Sequence, residues 1–209
     1  MSVLDQLSSS LQRKDEVPNQ ELAARIAAAG DRAAVQELID NLQHKNKAIQ
    51  QDCIKVLYET GSLNPALVAP HIAALEQLLT SKNNRLQWGA MTALDTVTDL
   101  VPDQVYAILG KIIAVADRGS VITKDHAVGI LVRLSTHPEY YDDALALLLE
   151  QLLKAAPNQL PMYAEQSLPI IRADHKQAFI DILHQRLPDV PRESKINRIQ
   201  AVIRKARQL

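Results

Sequence analysis

Aromatic residues make up only 3% of this 209-residue chain, cysteine occurs once, and glycine six times. With so few rings, the core must be built from small and aliphatic side chains, which suits close helix-on-helix packing. Scarce glycine and the absence of long β-branched runs argue against a sheet protein. Cys53, being alone, cannot close an internal disulfide, as expected in a reducing compartment. No strong excess of one charge is present either. Lys and Arg total 23, Asp and Glu 24, and the formal net charge is −1, an unusual balance for a protein whose work is neutralising phosphates. Long hydrophobic runs are missing too. The most apolar stretch, 144–153, is short and interrupted by Glu150, so no membrane insertion is expected. The start, MSVLDQLSSSLQRKDE, lacks the basic opening and apolar stretch of a secretory signal. These absences point to a cytoplasmic protein.

What is present is helical periodicity along the whole length. Spacing and punctuation predict helices near 2–12, 19–29, 32–43, 47–60, 65–80, 84–99, 102–117, 121–135, 138–155, 159–171, 174–186 and 192–207. Pro18, Pro65, Pro102 and Pro138 fall at or near first turns, where a missing N–H costs nothing. Gly30, Gly61 and Gly119 fall where left-handed caps are expected. No break is longer than about six residues, which predicts one domain over 1–209. Within it, 1–18 reads as an N-terminal cap helix, 19–187 as helix pairs, and 188–209 as a C-terminal capping helix.

The helices repeat. Leu57, Leu94 and Leu131 are 37 residues apart (94 − 57 and 131 − 94), and the same shift relates Ile54, Met91 and Val128. It also relates Leu75, Ile112 and Leu149, then Leu78, Val115 and Leu152. Asn46, Asn83 and Ser120 form a column of cap-forming residues at that interval. Cys53, Ala90 and Ala127 form a column of small ones, best read as close packing between first helices. Toward both ends the period loosens, as terminal repeats must when one face meets water.

A unit of about 37 residues made of antiparallel helices resembles the HEAT repeat, with the armadillo repeat its near neighbour. The run Asn83 to Leu94 looks like a first helix, and Val101-Pro102-Asp103-Gln104-Val105 like the start of a second. The resemblance spans about 19–187 and is strongest over 46–155. It implies an all-α, right-handed α-solenoid of about five HEAT-like helix pairs with irregular terminal capping helices. The Asp and Arg ladders usual in such repeats do not recur at 37 here.

Catalytic patterns fail in turn. The six histidines (His44, His71, His126, His137, His175 and His184) form no H-E-x-x-H and no i, i+4 pair. Asp181 and His184, at i, i+3, lack a third ligand and read as a hydrogen-bonded surface pair. Cys53, mid-helix in a column of alanines, reads as a buried small hydrophobe. No G-x-S-x-G turn, phosphate loop or dinucleotide fingerprint occurs. The expectation is therefore no enzyme, no metal and no cofactor.

Binding features remain. Trp88, the only tryptophan, aligns with Gln51 and Asp125 in the 37-residue frame and stands near Arg85. Burial, a partner anchor and base stacking are all open to it. Lys82, Arg85, Arg118 and Lys124 sit in or beside the inter-repeat loops, where stacked helix starts would add to a positive edge. The segment 188–209 has six basic and two acidic residues, with Ile196, Ile199, Ile203 and Ala206 forming one apolar stripe. Gln77, Gln104, Tyr106, Lys111, Tyr141 and Gln151 are candidates to face a concave surface lined by second helices. Arg85, Trp88, Tyr106, Lys111, Arg118 and Lys124 are the candidate partner-binding residues. The function expected is a scaffold or adaptor for a protein partner. The alternative is nucleic-acid binding, as in HEAT-like DNA glycosylases, and a weaker third is a lyase or chaperone for a pigment or cofactor.

Overall fold

The computed structural model describes residues 2–209, and they begin without the helix expected over 2–12. The chain makes a single 3-10 turn at Val3–Gln6, capped by Ser2 Oγ, which accepts from Leu4 N (3.1 Å). Helix then fails because side chains take its backbone donors. Ser8 N donates to Asn19 Oδ1 (2.9 Å) and Ser9 N to Asp52 Oδ2 (2.8 Å), while Gln12 adopts φ 55°. Asn19 Nδ2 also donates to Asp52 Oδ1 (2.8 Å), closing a buried polar network that pins this segment in place. Helices proper start at α1 (Val17–Ala29), with Pro18 in its first turn, and α2 (Arg32–Asp40). Gly30, at φ 64°, supplies the left-handed cap between them, and Asp31 caps α2 by accepting from Ala34 N (2.9 Å).

Then the repeat sets in. α3 (Lys47–Leu63) is followed by α4 (Pro65–Val68) and α5 (Ile72–Leu78). α6 (Asn84–Val97) is followed by α7 (Pro102–Ala107) and α8 (Leu109–Arg118), and α9 covers Val121–Leu134. The cap column behaves as expected. Asn46 Oδ1 accepts from Ala48 N (2.9 Å), Asn83 Oδ1 from Arg85 N (3.1 Å), and Ser120 Oγ from Thr123 N (3.4 Å). The second helix of each of these two pairs, expected to be continuous, is broken at one fixed point. His71 (φ −108°, ψ 23°) and Ile108 (φ −107°, ψ 8°), 37 residues apart, hold almost the same non-helical conformation. Pro70 accounts for the first break, since it lacks an N–H and crowds the carbonyl four residues back; nothing around Ile108 accounts for the second. The middle repeats thus have three helices, the number associated with armadillo units, where HEAT units have two.

The aliphatic columns form the core. Ile54, Met91 and Val128, then Leu57, Leu94 and Leu131, are all fully buried, as are Cys53, Ala90 and Ala127. Leu149 departs from its column and is only half-buried. Two glycines expected as left-handed caps serve another purpose, close approach. Gly61 lies inside α3, which runs on to Leu63, and a Cβ there would collide with the Thr96 hydroxyl. Gly119 ends α8 in an extended conformation, and a Cβ there would stand 2.6 Å from the Val115 carbonyl oxygen.

The chain falls into two compact units, Met1–Ala127 and Val128–Leu209. The second contains α10 (Tyr141–Lys154), α11 (Leu160–Ser167), α12 (Lys176–Arg186) and α13 (Glu193–Ala206). Pro138 lies in the turn ahead of α10. α13 packs on α11 and α12, burying Ile199, Val202, Ile203 and Ala206. Much of its basic face is already engaged. Arg198 holds Glu165 through two bonds (2.8 and 2.6 Å), and Lys195 Nζ donates to Asn158 Oδ1 (2.7 Å). Arg186 closes the end of α10, its Nη1 donating to the Leu152 carbonyl (3.1 Å) and its Nη2 to that of Ala155 (2.9 Å).

Candidate functional site

The six candidate residues separate into distinct surroundings. Arg85 and Trp88, on the first turns of α6, stand beside α3 and the start of α1. The Trp88 ring is half-buried, with its centroid 5.8 Å from that of Tyr58 and the Arg85 guanidinium 5.9 Å away over its face. Arg85 is also ion-paired with Glu16. Glu16 accepts in addition from Lys55 Nζ (2.9 Å), which reaches Glu59 as well (2.6 Å) and lies 4.9 Å from the Tyr58 ring centroid. The hydrogen bond from Lys55 holds the Glu16 carboxyl below its ordinary pKa, aided by the charges of Lys55 and Arg85. Burial disfavours the Lys55 ammonium, but its bonds to Glu59, Glu16 and Tyr58 outweigh that and its pKa rises. Cations and carboxylates here largely satisfy one another. The sequence could not show this, because Glu16 and Arg85 are 69 positions apart and follow no repeat interval.

Lys111 and Arg118 meet in a different place. They line a cleft of about 310 Å³ whose walls include Leu79, Gln87, Ala114 and Val115. Lys111 Nζ pairs with Glu76 (2.6 Å) from α5, and its side chain remains 63% exposed. Arg118 Nε donates to the Ala114 carbonyl (3.1 Å). Gln87 Nε2 donates to the Leu79 carbonyl (2.9 Å). α8, with Gln87 of α6 and Leu79 just after α5, therefore presents an open face with polar ends and an aliphatic floor. Gln77 is exposed on α5 and Gln104 on α7, whereas Tyr106 is half-buried on α7. Lys124 sits half-buried in the first turn of α9, outside the residues that line the cleft.

Two residues expected on the concave surface are buried instead. Tyr141 is 1% exposed and Gln151 4%. The Tyr141 hydroxyl accepts from Arg172 N (3.3 Å), and the Arg172 guanidinium lies 3.4 Å from its ring centroid. An amphipathic side chain with its polar end satisfied can be buried, and spacing alone does not distinguish that from exposure. The expected bond between Asp181 and His184 is not made either. Asp181 accepts from Gln177 Nε2 (2.8 Å), and His184 faces Arg207 (3.2 Å). Cys53 is buried, and burial, reinforced by Asp52 and Glu37, pushes its thiol pKa up to about 12, so it is a poor nucleophile. Among the described residues, no three His, Cys, Asp or Glu side chains gather where a metal could bind, and no helix is long and apolar enough to cross a membrane.

Comparison with solved structures places this arrangement. An engineered protein matches over the whole of both chains at 21% identity with a TM-score of 0.65. A designed armadillo repeat protein, solved in complex with the peptide (KR)4, matches over 90% of this chain and 86% of its own at 16% identity, also with a TM-score of 0.65. The fold is a HEAT/armadillo-like helical repeat. A second engineered protein, at 17% identity, covers all of this chain and 98% of its own with a TM-score of 0.66. No family model matches the chain, and no curated protein does. At these identities the likeness concerns the fold alone, an all-helical α-solenoid.

Proposed function

We propose that this protein is a non-enzymatic scaffold or adaptor that presents the exposed side of its second helices to a protein partner. One observation carries the reading: α8, α6 and the segment after α5 leave an open cleft lined by Gln87, Lys111 and Arg118, on a fold that a designed armadillo protein uses while holding a peptide. Repeat proteins of this kind bury their core between neighbouring units, which leaves helix faces free for recognition. Lys111 and Arg118 are the primary binding residues. Arg85 and Trp88 form a second candidate patch in which an aromatic and a cation are already ordered against Tyr58 and Glu16, the kind of rigid anchor that dominates interfaces. Tyr106 and Lys124 are secondary candidates. The lone, buried cysteine suits work in the cytoplasm.

Photo-crosslinking tests the reading. A photoreactive residue at Gln77 or Gln104 should capture a discrete partner in the source cell, and one at Lys47, on a first helix, should not. Equal capture from both faces, or none from Gln77 and Gln104, contradicts it.

A further inference from the structure

Resting on the scaffold reading, we infer that the cleft between α8 and the segment after α5 takes an extended acidic peptide, in polyproline II conformation, with two carboxylates three residues apart. The spacing comes from the helix. Lys111 and Arg118 are seven residues apart on α8, which is about two turns and a rise of about 10.5 Å, so both side chains leave the same face. A polyproline II segment has three residues per turn and rises about 9.3 Å over them, placing its first and fourth side chains on one side at nearly that separation. A flat β-strand does not fit as well, since residues three apart point to opposite sides.

The chemistry agrees with the spacing. Arg118 spends only its Nε on the Ala114 carbonyl, leaving both terminal nitrogens to grip a carboxylate side-on. Lys111 is held by Glu76 at the exposed end of its side chain, an ion pair weak enough in water for an incoming carboxylate to share. Between the two cations the floor is low and apolar, with Leu79, Ala114 and Val115. Ala114, small and exposed on that floor, lets a peptide backbone approach closely. Gln87 uses its N–H on Leu79, and its Oε1 remains to accept from the peptide. Nucleic acid suits the cleft less well. Two cations are few for a phosphate chain, the protein's net charge is −1, and no aromatic side chain lines the cleft to stack on a base.

The test is fluorescence polarisation at low salt, with the full chain and a labelled peptide Gly-Pro-Glu-Pro-Pro-Glu-Pro-Gly. Binding is expected to weaken roughly tenfold or more, as loss of charge-assisted hydrogen bonds does, in the Lys111→Gln/Arg118→Gln variant. Replacing both peptide glutamates by glutamine should weaken it equally. Both protein positions are exposed, so helicity and melting should not change. The charge-reversed Arg118→Glu chain should prefer a peptide with lysine at one of the two positions. The inference is overturned if the glutamine peptide binds as well, if adjacent glutamates bind as well as spaced ones, or if the double variant binds unchanged. Tighter binding of a single-stranded oligonucleotide through Lys111 and Arg118 also overturns it. Binding of (KR)4 or of a neutral peptide in place of the acidic one ends the inference and leaves the scaffold reading standing. Crosslinking that recovers no partner from Gln77 and Gln104 ends the scaffold reading itself.

Discussion

Gly61 of α3 faces Thr96 of α6 so closely that a Cβ on the glycine would occupy the space of the threonine hydroxyl. The first helices of neighbouring repeats meet at this point. An alanine normally gains about 1 kcal/mol over glycine inside a helix, but overpacking a fitted contact costs about 1–3 kcal/mol. Gly61→Ala is therefore expected to destabilise the protein in urea melts. In a Thr96→Ala background, where the obstructing hydroxyl is gone, the same change should become neutral or stabilising. Two independent, additive effects would show that the contact is not as described.

Arg186 closes α10 from 34 residues away, donating to the Leu152 and Ala155 carbonyls with only 12% of its side chain exposed. Orphan carbonyls at a helix end need such partners. Arg186→Ala should destabilise the chain by about 1.5–3 kcal/mol, the range for hydrogen bonds to charged groups. Arg186→Lys should recover only part, because an ammonium lacks the planar fork. A thermal melt unchanged by Arg186→Ala would refute this role.

How much of this was legible follows from how local each feature is. Asn46, Asn83 and Ser120 could be read because a cap acts within one turn of its own helix. The aliphatic columns could be read because period and burial go together in a stacked repeat. The helix expected over 2–12 was not a local matter, since Asn19 and Asp52 take its donors from elsewhere in the chain. Tyr141 and Gln151 were placed outside because their polarity was visible and their partners were not. Of the candidate site, Lys111 and Arg118 were singled out separately, one as facing the second-helix surface and one as a loop cation; that α8 runs on to Arg118 and that Leu79 and Gln87 wall the cleft depends on the fold. Glu16, which holds both Lys55 and Arg85, left no signal at any repeat interval.

Glu16 gives the pH dependence a sign. Its carboxyl is held below the ordinary value of 4.5, chiefly by the hydrogen bond from Lys55. A depressed carboxylate stabilises the fold above its unfolded-state pKa, and that contribution is lost as pH falls through the lower folded-state value. Urea midpoints should therefore drop as the solution is acidified below about 4.5. Glu16→Gln should flatten part of this decline, while Glu165 with Arg198 maintains the rest. A variant whose midpoint falls as steeply as the parent's contradicts the assignment.

Hydrogen–deuterium exchange with and without the captured partner tests the central claim most directly. Binding in the cleft should slow exchange in α8, residues 109–118, and around Leu79 and Gln87, and leave α3 unchanged. Slowing confined to α3 and α6, around Trp88 and Arg85, would move the interface to the opposite helices and contradict the account.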